Sequence, residues 1–153
     1  MKDGQHGFRK GRSCLSQLLE HHDRIITSLE FNTIEVVYLD FSNTFDKVDH
    51  GVVLHKLYNL GISGQLGLWV SAFLTNRTQL VALNGALSSV SSAVSGVPQG
   101  SVLGPLLFIF HIHDIDSSIT NSTVTSFADD TRITKIIDTN GDALLLQNDL
   151  KKI

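Results

Sequence analysis

Leu15, Leu18, Leu19, Ile25, Ile26 and Leu29 recur at the spacing of one helical face, and His22 falls on the same stripe. That pattern predicts an amphipathic helix over 13–29. The period then changes. Residues 34–41 form a β-rich, near-continuous apolar run that suits a strand buried on both faces. A helix over 50–60, stopped by Gly61, and a second over 65–74 come next. Two β-prone runs, 78–83 and 87–94, flank Asn84-Gly85, a strong hairpin signal. Residues 101–115 read as a buried helix with Pro105 near its first turn. The runs 123–127 and 131–137 predict a second hairpin around Ala128-Asp129-Asp130, and a last helix covers 142–153. This alternation fits an α+β layer in which helices cover one face of an antiparallel sheet.

At 153 residues the chain is one domain's worth and can bury a real core. A hydrophobic fraction of 42% excludes wholesale disorder. The net charge of −3 argues against a self-sufficient nucleic-acid binder, which ordinarily carries a basic surface. The single cysteine, Cys14, excludes an internal disulfide; a buried or half-buried thiol on a helix is expected. No signal peptide is visible. The longest apolar run, 102–112, is broken by Gly104 and Pro105 and is too short to span a bilayer, so no membrane partner is expected. Without secretion, the sequons at Asn76 and Asn121 are chance matches. His111 and His113 alternate and His21 and His22 are adjacent, but none has the spacing of a zinc site.

Three segments carry candidate chemistry. In Ser126-Phe127-Ala128-Asp129-Asp130-Thr131, a tight turn would crowd two carboxylates that an extended strand would point apart. Crowded like charges favour a cation between them, and hard oxygen donors suit Mg²⁺. An ordinary solvated turn is the competing reading. Asp40 lies within the apolar run that ends at Phe41, where a capping role explains it poorly; Asp46 and Asp49 are better placed as caps. Ser95-Gly96-Val97-Pro98-Gln99-Gly100-Ser101 is a glycine-rich loop leading into a helix, a setting that meets phosphates or bases or serves as a plain structural turn. It is not a Walker A loop, because no Gly-Lys-Ser/Thr follows.

In this order the segments resemble the reverse transcriptases of non-LTR (LINE-type) retrotransposons, in their jockey-like branch. Residues 38–50 resemble that family's first palm motif, 95–108 the second, and 127–131 the third. Residues 5–13 resemble the segment joining fingers to palm. The resemblance implies a polymerase palm, a ferredoxin-like sheet, with part of the fingers and no thumb. Residues 1–30 would be the fingers–palm connection and helix, 31–137 the palm, and 138–153 the start of the next palm helix. The implied activity is RNA-directed DNA polymerisation by a two-metal mechanism, with ions about 3.5–4 Å apart. The cofactor is then Mg²⁺, with Mn²⁺ as alternative. The partners are an RNA template, a DNA primer and deoxynucleoside triphosphates, and the setting is nuclear and cytoplasmic. On this resemblance Asp40 and Asp129 bridge the metals and Asp130 supports them. Phe41 contacts the triphosphate through its backbone. Phe45 stacks beneath the sugar as a gate against a 2′-hydroxyl, where a core aromatic is the alternative. Gln99 and Gly100 line the nucleotide pocket. Arg9, Lys10 and Arg12 either contact the template backbone or form a solvated basic surface.

Asn43-Thr44 replaces the family's usual Lys-Ala, and His111 and His113 replace Tyr and Asn. These changes bear on nucleotide handling and on local packing; no metal-binding acid is lost. The family's upstream basic fingers motif, thumb and endonuclease are expected to lie outside the chain. The chain is therefore expected to be a palm fragment without activity on its own; the alternatives are a non-catalytic module that binds nucleic acid or a partner, and a decayed reading frame.

Overall fold

The computed structural model describes residues 4–29 and 33–153. In chain order its elements are α1 (Cys14–Leu29), β1 (Thr33–Leu39), α2 (His50–Asn59), α3 (Gly64–Leu74), β2 (Arg77–Gln79), β3 (Ala82–Leu83), β4 (Ala86–Leu87), β5 (Ser91–Ala93), α4 (Leu103–Ile112), α5 (Ile115–Ser118), β6 (Thr123–Phe127), β7 (Asp130–Ile137) and α6 (Asn140–Leu150). They divide into two units, one from residues 1–42 with 112–153 and one from residues 43–111.

The first unit is built on a three-stranded antiparallel sheet in the order β1-β7-β6. Its register aligns Val37, Ile133 and Val124 across the three strands, and one step along aligns Tyr38, Arg132 and Thr125. Successive residues of a strand face opposite sides, so the first triplet forms an apolar face and the second a polar one. On the apolar face fully buried Ile133 packs with Ile119 and Leu146, flanked by Val37, Leu39, Val124 and Leu150. This is the core that α6 closes. A capping box between Thr139 and Asp142 fixes the start of that helix.

On the polar face lies α1. Arg132 donates to Gln17 Oε1 at 3.2 Å, Tyr38 Oη lies 3.5 Å from His21 Nε2, and Arg24 reaches Thr123 Oγ1 at 3.4 Å. The Arg132 guanidinium also sits 5.4 Å from the centroid of the Tyr38 ring, within cation–π range. Helices therefore cover both faces of the sheet, where the sequence pattern predicts one. The orientation of α1 departs from its amphipathic pattern as well. Gln17, His21 and Ser28 are buried, while Leu15, Leu18, Leu19, Ile26 and Leu29 are exposed, and His22 on that stripe is exposed with them. The physical reason is the sheet face beneath: the Arg132 guanidinium and the Tyr38 hydroxyl are met there by the polar Gln17 and His21 side chains, which an apolar stripe could not replace without loss of those hydrogen bonds. Cys14, expected to be buried or half-buried, is exposed at the start of α1.

The second unit holds the α2–α3 pair and the Asn84-Gly85 hairpin. Asp49 caps α2, as expected, by accepting from the Val52 amide at 2.8 Å. Gly61 follows the helix with φ of +86°. Asn84 and Gly85 both take positive φ, the form of a tight hairpin turn. The two long strands predicted there are each split. β3 pairs with β4 and β2 with β5, because the Val81 amide donates to the Ser88 side chain and Val81 accepts from the Ser88 amide between them. α4 is shorter than the predicted 101–115 helix and is followed by the single turn of α5. Leu107, Phe108 and Ile109 of α4 are buried, as are Val53, Leu57, Val70 and Leu74 of α2 and α3.

Candidate active site

β1 ends at Leu39, so Asp40 is the first residue beyond the strand. Leu39 pairs with Thr131. Extending that antiparallel register by one step sets Asp40 opposite Asp130, the first residue of β7. Phe127 pairs with Asp130, which leaves Ala128 and Asp129 as a two-residue hairpin loop. Ala128 has φ of +56°, and Asp129 has no positive φ. A positive φ at the first loop residue alone is the type II′ pattern, normally a glycine position. The three predicted acids are thus gathered at one end of one sheet, as the family resemblance implied. Asp40 and Asp130 are exposed and Asp129 is half-buried.

The donor set is three carboxylates, hard oxygen ligands of the kind that Mg²⁺ or Mn²⁺ takes. Their like charges repel until a cation joins them. Among the described residues, no three His, Cys, Asp or Glu side chains are grouped closely enough to hold a metal ion. The backbone register therefore fits a carboxylate metal centre, while the side chains are not drawn together into one. Phe41, half-buried, follows Asp40 directly.

The other residues that the family resemblance assigns to the nucleotide, Phe45, Gln99 and Gly100, belong to the second unit. There the glycine-rich loop is strapped to the 45–48 segment: Gly96 N–H donates to Val48 O at 2.8 Å and Val97 N–H to Phe45 O at 2.9 Å. Gly96 is required at this crossing. Its φ is +80°, and a Cβ there would stand 2.8 Å from the Asp46 backbone. Gly96 O in turn accepts from Arg77 at 2.5 Å and faces His50 Nε2 at 2.8 Å. Gln99 is exposed, and its carboxamide donates to Asp46 Oδ1 at 3.0 Å; Gly100 takes φ of +78°. Asp46, read from the sequence as a cap, is instead the partner of Gln99. Both line a polar cleft of about 560 Å³ with Arg77, Gln79 and Ser95. The Phe45 ring is half-buried and packs on Phe108, centroids 4.6 Å apart, which is the packing expected of a core aromatic.

Of the basic cluster, Arg12 lies 3.3 Å from His6 Nε2 and 3.5 Å from a Glu20 carboxylate oxygen. Arg9 donates to Gln5 O at 3.3 Å, and Lys10 is exposed. Two of the three cations thus support the N-terminal segment; the Arg9 contact is local, whereas that of Arg12 with Glu20 reaches α1, a role with no signature in the charge pattern. Arg77, His50 and Asp46 were likewise invisible as loop-holding residues, because each acts on a segment distant in sequence.

Comparison with known proteins bears on the family. The family model described as reverse transcriptase (RNA-dependent DNA polymerase) matches residues 1–152. The chain is 33% identical over 135 residues to the "Probable RNA-directed DNA polymerase from transposon X-element" of Drosophila melanogaster, covering 85% of this chain and 15% of that protein. It is 34% identical over 137 residues to the "RNA-directed DNA polymerase from mobile element jockey" of Drosophila melanogaster, covering 84% of this chain and 15% of the relative. The jockey protein of Drosophila funebris is 35% identical over 112 residues, 72% of this chain and 12% of that protein. The chain therefore spans about 15% of the length of the first two relatives. With a match that runs through all three acid and glycine motifs, the chain belongs to the reverse transcriptase family, in its non-LTR retrotransposon branch.

Proposed function

We propose that this chain is the palm portion of an RNA-directed DNA polymerase, with Asp40, Asp129 and Asp130 as its metal-binding acids. The observation that carries the reading is the strand register, which sets Asp40 opposite Asp130 and beside the turn that bears Asp129. Divalent cations, when bound there, supply the charge neutralisation and alignment that nucleotidyl transfer requires. Asp40 and Asp129 are the bridging carboxylates on this reading and Asp130 the supporting one. On this reading the Phe41 backbone contacts the incoming deoxynucleotide, with an RNA template and a DNA primer as the other substrates. A nucleic-acid-binding module without catalysis is the poorer reading, because Arg9 and Arg12 are engaged within the protein and the net charge is −3.

The test is Mn²⁺ binding to the chain, read by loss of the free-ion electron paramagnetic resonance signal. Asp129→Asn and Asp40→Asn should each weaken binding by more than about tenfold, since even changes in a metal's outer shell cost roughly 10–100-fold. Equal binding by wild type and both variants sinks the reading.

A further inference from the structure

The catalytic turn is gripped by a residue far away in sequence. The Gln5 side chain accepts from the Ala128 amide at 3.0 Å and donates to the Ala128 carbonyl at 3.2 Å. The same Gln5 oxygen accepts from the Gly7 amide at 2.7 Å. Two N–H groups on one side and one C=O on the other fix the orientation of the carboxamide. Both backbone groups of the first turn residue are therefore satisfied by one side chain.

The Ala128 carbonyl belongs to the peptide between the two loop residues. Type I′ and type II′ hairpin loops differ chiefly in the rotation of that peptide, with both φ positive in the first and only the first φ positive in the second. Rotating it swings the Asp129 side chain relative to Asp130. By holding the carbonyl, Gln5 holds the form in which Ala128 alone takes positive φ. It does so at a residue whose Cβ disfavours that backbone conformation.

The segment that carries Gln5 is itself anchored. Ser126 N–H donates to Gly4 O and His6 N–H donates to Ser126 O, both at 2.8 Å, adding the segment to the free edge of β6. Fully buried His6 lies 2.9 Å from Ser16 Oγ and 3.2 Å from Glu20 on α1. The approach to the turn is close enough to demand glycine. A Cβ on Gly7 would stand 2.3 Å from the Ala128 nitrogen, and one on Gly4 would stand 2.3 Å from the Val124 oxygen.

We infer that Gln5 is a positioning residue for the metal-binding acids: it selects the turn geometry that presents Asp129 beside Asp130. The inference rests on the metal-binding reading of those acids. Its test uses amide hydrogen exchange and Mn²⁺ binding on the 153-residue chain. Gln5→Ala should speed exchange at the Ala128 amide and weaken Mn²⁺ binding, each by at least about tenfold, the range set by outer-shell partners of metal ligands. Exchange at Ile133, in the sheet core, should stay as in wild type. Gln5→Glu keeps the oxygen that accepts from Ala128 and should restore the amide protection. Ile133→Val lowers stability without touching the turn, and should change neither readout. Wild-type exchange and Mn²⁺ affinity in Gln5→Ala overturn the inference. Fast exchange with unchanged Mn²⁺ affinity also overturns it, because Gln5 would then hold the turn without positioning the acids. Asp129→Asn runs beside these variants. If it binds Mn²⁺ like wild type, the metal reading itself has failed; if it loses Mn²⁺ while Gln5→Ala does not, only the present inference has.

Discussion

On one face of the three-stranded sheet, Val37, Ile133 and Val124 meet Leu146 and Leu150 of α6; on the other, Tyr38, Arg132 and Thr125 meet Gln17 and His21 of α1. The apolar face gains free energy in proportion to the area removed from water, about 1.5–3 kcal/mol for each large side chain fully buried. The polar face gains much less, since a hydrogen bond contributes only about 0.5–1.5 kcal/mol net. Its pairing is also incomplete. Among the described residues, Gln17 Nε2, His21 Nδ1, Arg132 Nε and Thr125 Oγ1 are buried without a hydrogen-bond partner. The difference teaches that the apolar face supplies stability, whereas the polar face fixes where α1 lies.

The sharpest way to break this comparison is to damage the apolar face, where Ile133 is fully buried. Ile133→Ala should cost about 2–5 kcal/mol, the range for such truncations in a packed core, and should move the urea midpoint accordingly. A loss under about 1 kcal/mol would remove the distinction between the faces. Next in size is Asp149, a fully buried acid on α6 that accepts from the Thr120 and Asn121 amides, from Asn121 Nδ2 and from Lys152. Burial alone would raise its pKa. The Lys152 hydrogen bond and the Asn121 and Thr120 amides outweigh that, and hold the carboxyl well below the ordinary carboxylate range. A depressed acid stabilises the fold above its unfolded pKa of about 3.9, and the contribution fades as pH falls toward the folded value. Asp149→Asn should therefore cost about 1–3 kcal/mol at neutral pH and flatten the acid limb of a stability–pH curve.

The polar face has its own titration. Burial, then the charges of Arg132, His22 and Arg24, lower the pKa of His21. A histidine so depressed contributes stability that is fully present above about pH 6.5 and is lost as pH falls through the folded value. Thermal unfolding of the wild type should weaken on going from pH 7 to pH 5, by at most about 1.4 kcal/mol per pH unit. His21→Gln should remove that part of the slope. A pH-independent difference between the two proteins over that range would mean that His21 does not titrate with folding.

Most elements were legible because their local signals are strong. Asp49 before α2, Gly61 after it, and Asn84-Gly85 in the hairpin each act within a few residues of themselves. The three acids were legible as motifs, and the register then gathered them at one sheet end. What the pattern hid was everything decided by a distant neighbour. The split of the second-unit strands depends on the Val81–Ser88 contacts. The engagement of Arg12 depends on Glu20 and His6, and the partner of Asp46 is Gln99, which lies beyond two helices and a hairpin. The orientation of α1 belongs to this class. Periodicity reports that a helix has an apolar stripe, but the residues opposite it in the fold decide which side is covered.

That last point yields the smallest expected effect and the most direct check on the polar face. Leu19 sits in the middle of the outward stripe of α1 and is 61% exposed. Leu19→Gln removes apolar surface that already faces water, and glutamine is about as good a helix former as leucine. Stability should then change by no more than about 0.5 kcal/mol, the usual range for surface substitutions. Gln17→Leu, two residues away on the covered side, should cost more, because it strips Arg132 of its acceptor while leaving the guanidinium covered. If the order is reversed, so that Leu19→Gln destabilises and Gln17→Leu is neutral, the leucine stripe is the covered side of α1 in solution. The contrast between the two sheet faces would then collapse into a single rule, with apolar surface inward on both.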